Sequence, residues 1–399
     1  MRALVFSRRP GQLAAAAVAG RIRPGAGAGV GPIGLRDVDP PEPPTDEWLP
    51  FRPRLAGICG SDLATIDGRS SRYFEPIVSF PFTPGHEVVG DLPDGTRAVL
   101  VPVLHCEVRG VDPVCPSCAS GAIHHCERIA FGHLEPGLQS GFTRETGGGW
   151  SAGMVVHPAQ VVPVPDDLSD EAAVMVEPTA CAVHAAQVVL GGAARDGGPI
   201  AVIGAGTLGL LTLAALRHAE RGGDTDRLIL TTAKHPEQRR LAGELGATRV
   251  VAPDELARAV RGVTGSLVLA SDDATAGAAA GQLTGGFPTV VDCVGSEESI
   301  AQALRVVAPG GDVVLVGMPG PTHVDLTPLW HRETSLRGCY AYRRADFDTA
   351  IEVVRDLDLG RLVSATYPLD RHRDAIAHAA AAGARGAVKV AFDLRGERP

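Results

Sequence analysis

Four cysteines crowd one stretch of this 399-residue chain, spaced Cys106-x8-Cys115-x2-Cys118-x7-Cys126. A C-x2-C pair puts two sulfurs on one tight turn, and two flanking cysteines can close the tetrahedron that structural zinc takes with four thiolates. The other four, Cys59, Cys181, Cys293 and Cys339, are scattered. In an intracellular chain of this size a thiol cluster points to metal rather than to disulfides. The neighbouring His105, His124 and His125 are expected to be surface or packing residues.

Three separated pieces could build a second metal site. GICGSD offers Cys59, PGHEVVG offers His86 and Glu87, and MVEPTACAVHA offers Glu177. Catalytic zinc takes three protein ligands of mixed type and keeps a fourth position open. Each piece alone is ordinary, since a lone buried Cys is usually core and Gly-His-Glu is usually a turn. Cys181 and His184, on the helix after Glu177, are expected to face the cleft between the domains or the core, and His184 the core. Further on, VIGAGTLG carries Gly204-x-Gly206-x-x-Gly209, with Thr207 and Leu208 opening a helix. Such glycines permit a tight turn and close approach of backbone to a pyrophosphate, which the helix N-terminus favours. Enzymes that use NAD usually end the second strand of this fold in an acidic residue that holds the ribose. The matching position here is Ala233, followed by Lys234 and His235, with Arg239 and Arg240 one turn later. No carboxylate repels a 2′-phosphate and cations are at hand, so NADP is expected over NAD.

Those residues need elements to hold them. Residues 1 to about 190 read as short strands between turns (VRGVDP, PDGTRAVLV, MVVHPAQVVPVP) with little helical period, an irregular all-β domain. The opening MRALVFSRRPGQLAAAAVAG is broken by charge and Gly, and is expected to begin the folded domain rather than to act as a signal peptide. From 191 the texture changes. GGPIAVIGAGTLGLLTLAALRHAERGG is a strand, a Gly-rich turn and a helix. LILTT, TVVDCVG and DVVLVGMP are further strands, and HPEQRRLAGELGA and SEESIAQALRVVAPGG are helices. Alternation of this kind means a parallel sheet with crossover helices. The small-residue run 263–286 reads as loop-rich. From about 327 the texture is mixed, with a helix in DFDTAIEVVRDLD and a last strand in AVKVAFDL. The expected domains are 1–190 with 327–399, and 191–326.

Bulk composition narrows the class. The net charge of −9 argues against a nucleic-acid binder, which needs a basic surface. No apolar run approaches 18 residues, so no membrane span is expected and the cytoplasm is the default location. Lysine occurs only at Lys234 and Lys389, a bias from which no function follows.

In this order the motifs resemble the zinc-containing medium-chain dehydrogenase superfamily of alcohol, polyol, threonine and glucose dehydrogenases. The resemblance runs through GICGSD, PGHEVVG, the cysteine lobe, EPTACAVHA, VIGAGTLGLL, VDCVGSEESI and APGGDVVLVGMPG, and covers almost the whole chain. It implies an α/β fold, with a GroES-like irregular β catalytic domain plus a Rossmann doubly wound parallel-sheet domain, and a homodimer or homotetramer. It implies two zinc ions, one structural and one catalytic. Cys59 and His86 bind the catalytic ion in that family. Glu177 marks the polyol and glucose side, where simpler alcohol dehydrogenases carry Cys, and either Glu87 or Glu177 completes the shell. Asp62 supports the zinc histidine, and Ser61 passes the alcohol proton outward. One departure is Ala64, which stands where many relatives carry a His, so the far end of that relay is absent or replaced by water. The implied reaction moves hydride between an alcohol, or its carbonyl, and nicotinamide C4, with zinc acidifying the hydroxyl. Alternatives are a sugar or polyol dehydrogenase of the glucose dehydrogenase branch, a reductase of the same fold without catalytic zinc, and a non-catalytic zinc- and dinucleotide-binding protein. Zinc content and NADPH oxidation with a carbonyl panel separate the last of these.

Overall fold

The computed structural model describes residues 1–221, 227–269 and 281–398. They form two compact units, Met1–Ala180 with Ala341–Pro399, and Cys181–Tyr340. The division falls inside the helix Val176–Leu190, whereas the change of texture in the sequence comes at the end of that helix.

The first unit is built on a seven-stranded sheet. Its spatial order is Val363–Tyr367, Lys389–Asp393, Leu49–Gly57, Val88–Asp91, Arg97–Leu100 and Val161–Pro163, with Met154–Val156 also paired to Leu49–Gly57. Most neighbours are antiparallel, and the first two are parallel. The turn Pro93-Asp94-Gly95 makes one hairpin, with Gly95 at φ 86° and Leu92 bonded to Thr96. Trp150, Phe51, Leu100 and Phe392 fill one core with the N-terminal strand residue Leu4.

Two expectations for this unit fail. PGQLAAAAVAGRI is a helix, Pro10–Ile22. A proline at the first turn and a run of alanines outweigh the missing apolar stripe. VRGVDP is not a strand: Glu107–Arg109 is a 3-10 turn following Cys106 directly. The opening residues are part of the fold, since Arg2–Phe6 pairs with Ile33–Asp37. In the sequence between these strands, the main-chain N–H groups of Gly25 and Gly27 donate to the fully buried Asp67 at 2.9 and 3.1 Å.

The second unit holds a six-stranded parallel sheet in the order Arg249–Val251, Ile229–Thr232, Ile200–Ile203, Phe287–Asp292, Val307–Leu315, Ser335–Gly338. Numbered along the chain within this sheet, that order is 3-2-1-4-5-6, the doubly wound pattern of dinucleotide-binding sheets. Helix starts follow local chemistry: Pro236 sits in the first turn of Pro236–Glu244, and Ser296 caps Glu297–Val306. Of the small-residue run, Val268–Leu269 and Gln282–Leu283 pair as short strands, and 270–280 lies outside the described residues. Asp170–Leu190 has the length and hydropathy of a membrane span, contrary to the reading that no such run exists, but 78% of its apolar window is buried inside the protein. It is a core helix.

Candidate metal centres and dinucleotide loop

The first constellation is assembled by two chain reversals. Strand Leu49–Gly57 delivers Cys59 to the start of helix Gly60–Ile66. His86 and Glu87 immediately precede strand Val88–Asp91, which pairs antiparallel beside it. One ligand atom each from Cys59, His86 and Glu87 lies within 4.8 Å of the others. Cys59 is half-buried, and His86 and Glu87 are buried. Asp62 accepts from the Cys59 N–H at 2.9 Å through Oδ2. Its Oδ1 faces His86 Nδ1 at 3.6 Å, an ion-pair separation rather than a hydrogen bond. Neither atom has a hydrogen-bond partner among the described residues. A carboxylate beside Nδ1 holds the ring proton there and leaves Nε2 as the ligand atom. Burial disfavours the imidazolium, but Asp62 and the Cys59 thiol outweigh it and hold the His86 pKa well above its ordinary value. A cation on Nε2 would take the place of the second ring proton, leaving the one on Nδ1. Thiol, imidazole and carboxylate together are the donor set of a three-ligand zinc site.

Glu177 lies beside this group but outside the 4.8 Å set. It comes from the buried first turn of helix Val176–Leu190. Burial pushes its carboxyl up to about 7; Glu87 adds to this, while His86, a hydrogen bond from Tyr342 and Lys389 oppose it. Glu87 has a partner that the sequence reading missed. Lys389 Nζ stands 2.6 and 2.5 Å from its two carboxylate oxygens and 3.4 Å from Ile58 O. Both side chains are 2% exposed. Room for the pair depends on Gly57, where a Cβ would lie 2.0 Å from Glu87 Oε2. The available signal was Lys389 itself, a cation inside the apolar strand VKVAF.

Ser61 is half-exposed on the first turn of Gly60–Ile66. Ala64 is buried. Next to it, the Thr65 hydroxyl donates to Ser61 O at 2.9 Å and shares a 2.8 Å hydrogen bond with Ser70 Oγ. His184 is buried, as expected of a packing residue.

The second constellation brings all four thiols, Cys106, Cys115, Cys118 and Cys126, within 4.8 Å of one another. Cys106 Sγ and Cys126 Sγ are 3.7 Å apart. A tetrahedron with zinc–sulfur bonds of about 2.3 Å has edges of roughly 3.8 Å, so the spacing fits. Amide N–H groups point at the sulfurs: Cys115 N at Cys106 Sγ, 3.3 Å, and Cys118 N at Cys115 Sγ, 3.5 Å. Burial resists ionisation of Cys115, but the amides of Glu127 and Cys118 outweigh it and bring the thiol down to about 7. Burial pushes Cys118 up, and Cys126 up to about 11. Thiols this close ionise together only around a cation. Of the nearby histidines, His105 and His124 are buried and His125 is exposed.

The dinucleotide loop lies between strand Ile200–Ile203 and helix Thr207–Ala219. Gly204 has φ 93°, and its N–H donates to Thr232 Oγ1 at 2.9 Å. A Cβ on Gly209 would lie 1.9 Å from Gly204 O, so helix and turn meet only through glycine. Gly206 faces open space, with nothing within 4 Å of an added Cβ. Thr207 and Leu208 begin the helix, and a helix N-terminus suits a phosphate. At the end of the second strand Ala233 is buried. Lys234 is exposed, with no ion pair among the described residues, and His235 and Arg239 are half-buried. Arg240 is committed to Glu237 and Glu244.

Two family profiles match these two parts. Residues 46–166 match the alcohol dehydrogenase GroES-like domain, and 207–356 match the zinc-binding dehydrogenase domain. The chain belongs to the zinc-dependent medium-chain dehydrogenase superfamily. It is similar to L-idonate 5-dehydrogenase of Vitis vinifera, 26% identical over 357 residues, covering 86% of this chain and 87% of the relative. It is also similar to sorbitol dehydrogenase of Bacillus subtilis, 26% identical over 341 residues, covering 84% and 86%. A solved structure from Sinorhizobium meliloti, described as a zinc-binding dehydrogenase bound to NADP, has a TM-score of 0.67 at 25% identity, covering 90% of this chain and 96% of the other. Acetophenone reductase of Geotrichum candidum in complex with NAD has a TM-score of 0.71 at 17% identity, covering 99% and 98%, a likeness of fold. This medium-chain dehydrogenase is therefore an oxidoreductase that transfers hydride between an alcohol, or its carbonyl, and a nicotinamide cofactor.

Proposed function

We propose that this dehydrogenase acts on a polyol or sugar-type alcohol, uses NADP in preference to NAD, and holds two zinc ions. The observation that carries the reading is the meeting of Cys59, His86 and Glu87 with Glu177 alongside. Cys59 and His86 hold the ion, which when bound supplies Lewis acidity to the substrate hydroxyl. Both oxygens of Glu87 are engaged by Lys389, which favours Glu177 as third ligand. A carboxylate there in place of a thiolate suits a substrate rich in hydroxyls, because its second oxygen can accept a hydrogen bond. Asp62 orients His86. Ser61 accepts the substrate hydroxyl proton at Oγ and hands its own outward.

Gly204, Gly206, Thr207, Leu208 and Gly209 cradle the pyrophosphate of the dinucleotide. Lys234, His235 and Arg239 meet the 2′-phosphate that Ala233 does not repel. The NADP-bound Sinorhizobium relative supports this choice. Cys106, Cys115, Cys118 and Cys126 hold the structural ion. The catalytic part is assigned to 1–190 with 327–399 and the dinucleotide part to 191–326. Apolar Leu326, Trp330 and Leu336, left exposed in the stretch leading into the edge strand Ser335–Gly338, support a homodimer or homotetramer. Eight free cysteines, half of them gathered as a metal cluster, support a cytoplasmic location. The test is a turnover screen of the zinc-loaded protein against polyols, simple alcohols and their carbonyls, with each cofactor. Polyol turnover with NADP at least about tenfold more efficient than with NAD is expected. Turnover restricted to simple alcohols overturns the substrate class, and a preference for NAD overturns the cofactor assignment.

A further inference from the structure

The thiol lobe is built around a buried cation. Arg109 closes the 3-10 turn that follows Cys106 and has no solvent exposure. Its Nε donates to Leu104 O at 3.0 Å, its Nη1 to Phe131 O and Leu134 O, both at 3.0 Å, and its Nη2 to Glu135 O at 2.7 Å and Gly137 O at 3.1 Å. These are all five donors a guanidinium has. One side chain thus ties the backbone just before the first thiol to the loop just after the last. Every acceptor is a neutral carbonyl. The hydrogen bonds are satisfied, but no carboxylate touches the charge, and a buried charge without a counter-charge is costly. The acidic groups near enough to act on its charge are Cys126, Glu145 and Cys106, and Glu145 accepts from the N–H of Glu135.

Four thiolates around a divalent ion carry a net charge of about −2. Amide N–H groups disperse part of it, and a full positive charge belongs nearby. We propose that Arg109 is the internal counter-cation of the four-thiol metal site, a positioning residue whose charge holds the metal and whose planar fork fixes the 131–137 loop. The proposal rests on the structural-zinc reading above. It explains why an arginine, rather than an apolar residue, fills the centre of a lobe with no carboxylate partner for it.

The experiment separates charge from fork. Zinc release from wild type, Arg109→Lys and Arg109→Met is followed with a chromogenic chelator at neutral pH, with folding checked by circular dichroism. Cys118→Ser identifies the release phase that belongs to this lobe. Lysine keeps the charge and loses the five-donor fork; methionine loses both. Arg109→Met is expected to release the lobe zinc at least about tenfold faster, the scale for losing an outer partner of a metal site, while Arg109→Lys stays within about threefold of wild type. The melting temperature of Arg109→Lys falls nonetheless. Equal acceleration in both variants, or none in Arg109→Met, overturns the proposal. If Arg109→Met does not fold, Arg109→Lys decides alone, since a tenfold faster release there overturns it. Wild type and Cys118→Ser with equal zinc content would instead overturn the metal reading itself, a distinguishable failure.

Discussion

Lys389 and Glu87 are 302 residues apart in sequence and 2.5 Å apart in space, both buried beside the candidate catalytic ligands. Burial disfavours the ammonium, and Glu87 outweighs it, holding the Lys389 pKa above its ordinary value. The pair is formed where the last strand, Lys389–Asp393, lies against Leu49–Gly57. The strand Lys389–Asp393 therefore fixes the carboxylate next to His86.

Breaking that pair leaves a buried charge alone. Lys389→Met is expected to destabilise the protein by about 3–5 kcal/mol. Adding Glu87→Gln should recover part of the loss, because the orphaned charge goes with it. Denaturant titration of the single and double variants checks this, and strictly additive losses would sever the energetic link between the two residues.

The metal centres separate by their effects. His86→Ala should lose about one equivalent of zinc and turnover while keeping the fold, and Cys118→Ser should lose one equivalent and stability. Glu177→Gln should weaken zinc at the catalytic site more than Glu87→Gln does, since Glu87 is held by Lys389. Elemental analysis with melting curves reads both, and the reverse order would make Glu87 the third ligand.

Much of this site was legible in the sequence, and the reasons are local. Cys59, His86 and the C-x2-C pair sit on tight turns whose spacing is set by the chemistry. The glycine loop is fixed by backbone sterics at Gly204 and Gly209. That the sheet of the second unit is parallel follows from alternation of strand and helix. What was missed is either non-local or propensity-driven. Lys389, Tyr342 and Arg109 act through partners that only the fold brings near. The helix Pro10–Ile22 carries no apolar period to announce it, because alanine forms helices without one.

Ser61→Ala should slow the chemical step by roughly 10²-fold, the scale for a lost proton-transfer group. Buried Ala64 offers no acceptor beyond it, so the exposed side of Ser61 is the exit. Solvent isotope effects on wild type and variant check the role, and an unchanged rate across the pH range removes Ser61 from it.

Cofactor choice hangs on the end of the second strand. Ala233→Asp should move the kcat/KM ratio toward NAD by at least about tenfold, since a carboxylate accepts from the ribose hydroxyls and repels the phosphate. Lys234→Ala should weaken NADP more than NAD. Equal weakening of both would mean that Lys234 faces only solvent.

Acid stability has a sign that the structure sets away from the metal ligands. Burial, aided by Arg373, holds the His372 imidazole below its ordinary value, against Leu369 O and Asp370. The folded ring therefore binds a proton less readily than the unfolded one. Its contribution is full above about pH 6.5 and is lost as pH falls through the lower folded value. The His372 share of the melting temperature should be level above neutrality and fall below it, so the acid-side decline should be less steep in His372→Gln. An identical decline in that variant would assign the loss to other groups.

Asp67 gives the first thirty residues an unexpected standing. It caps the far end of the very helix that starts at Cys59, and its oxygens are met by the N–H groups of Gly25 and Gly27. The front of the chain is thus tied to the far end of the helix that carries Ser61. Removing that front would take two N–H donors from the buried carboxylate and leave it Arg69, 3.5 Å away, so a change at residue 25 is expected to reach the helix that begins at Cys59.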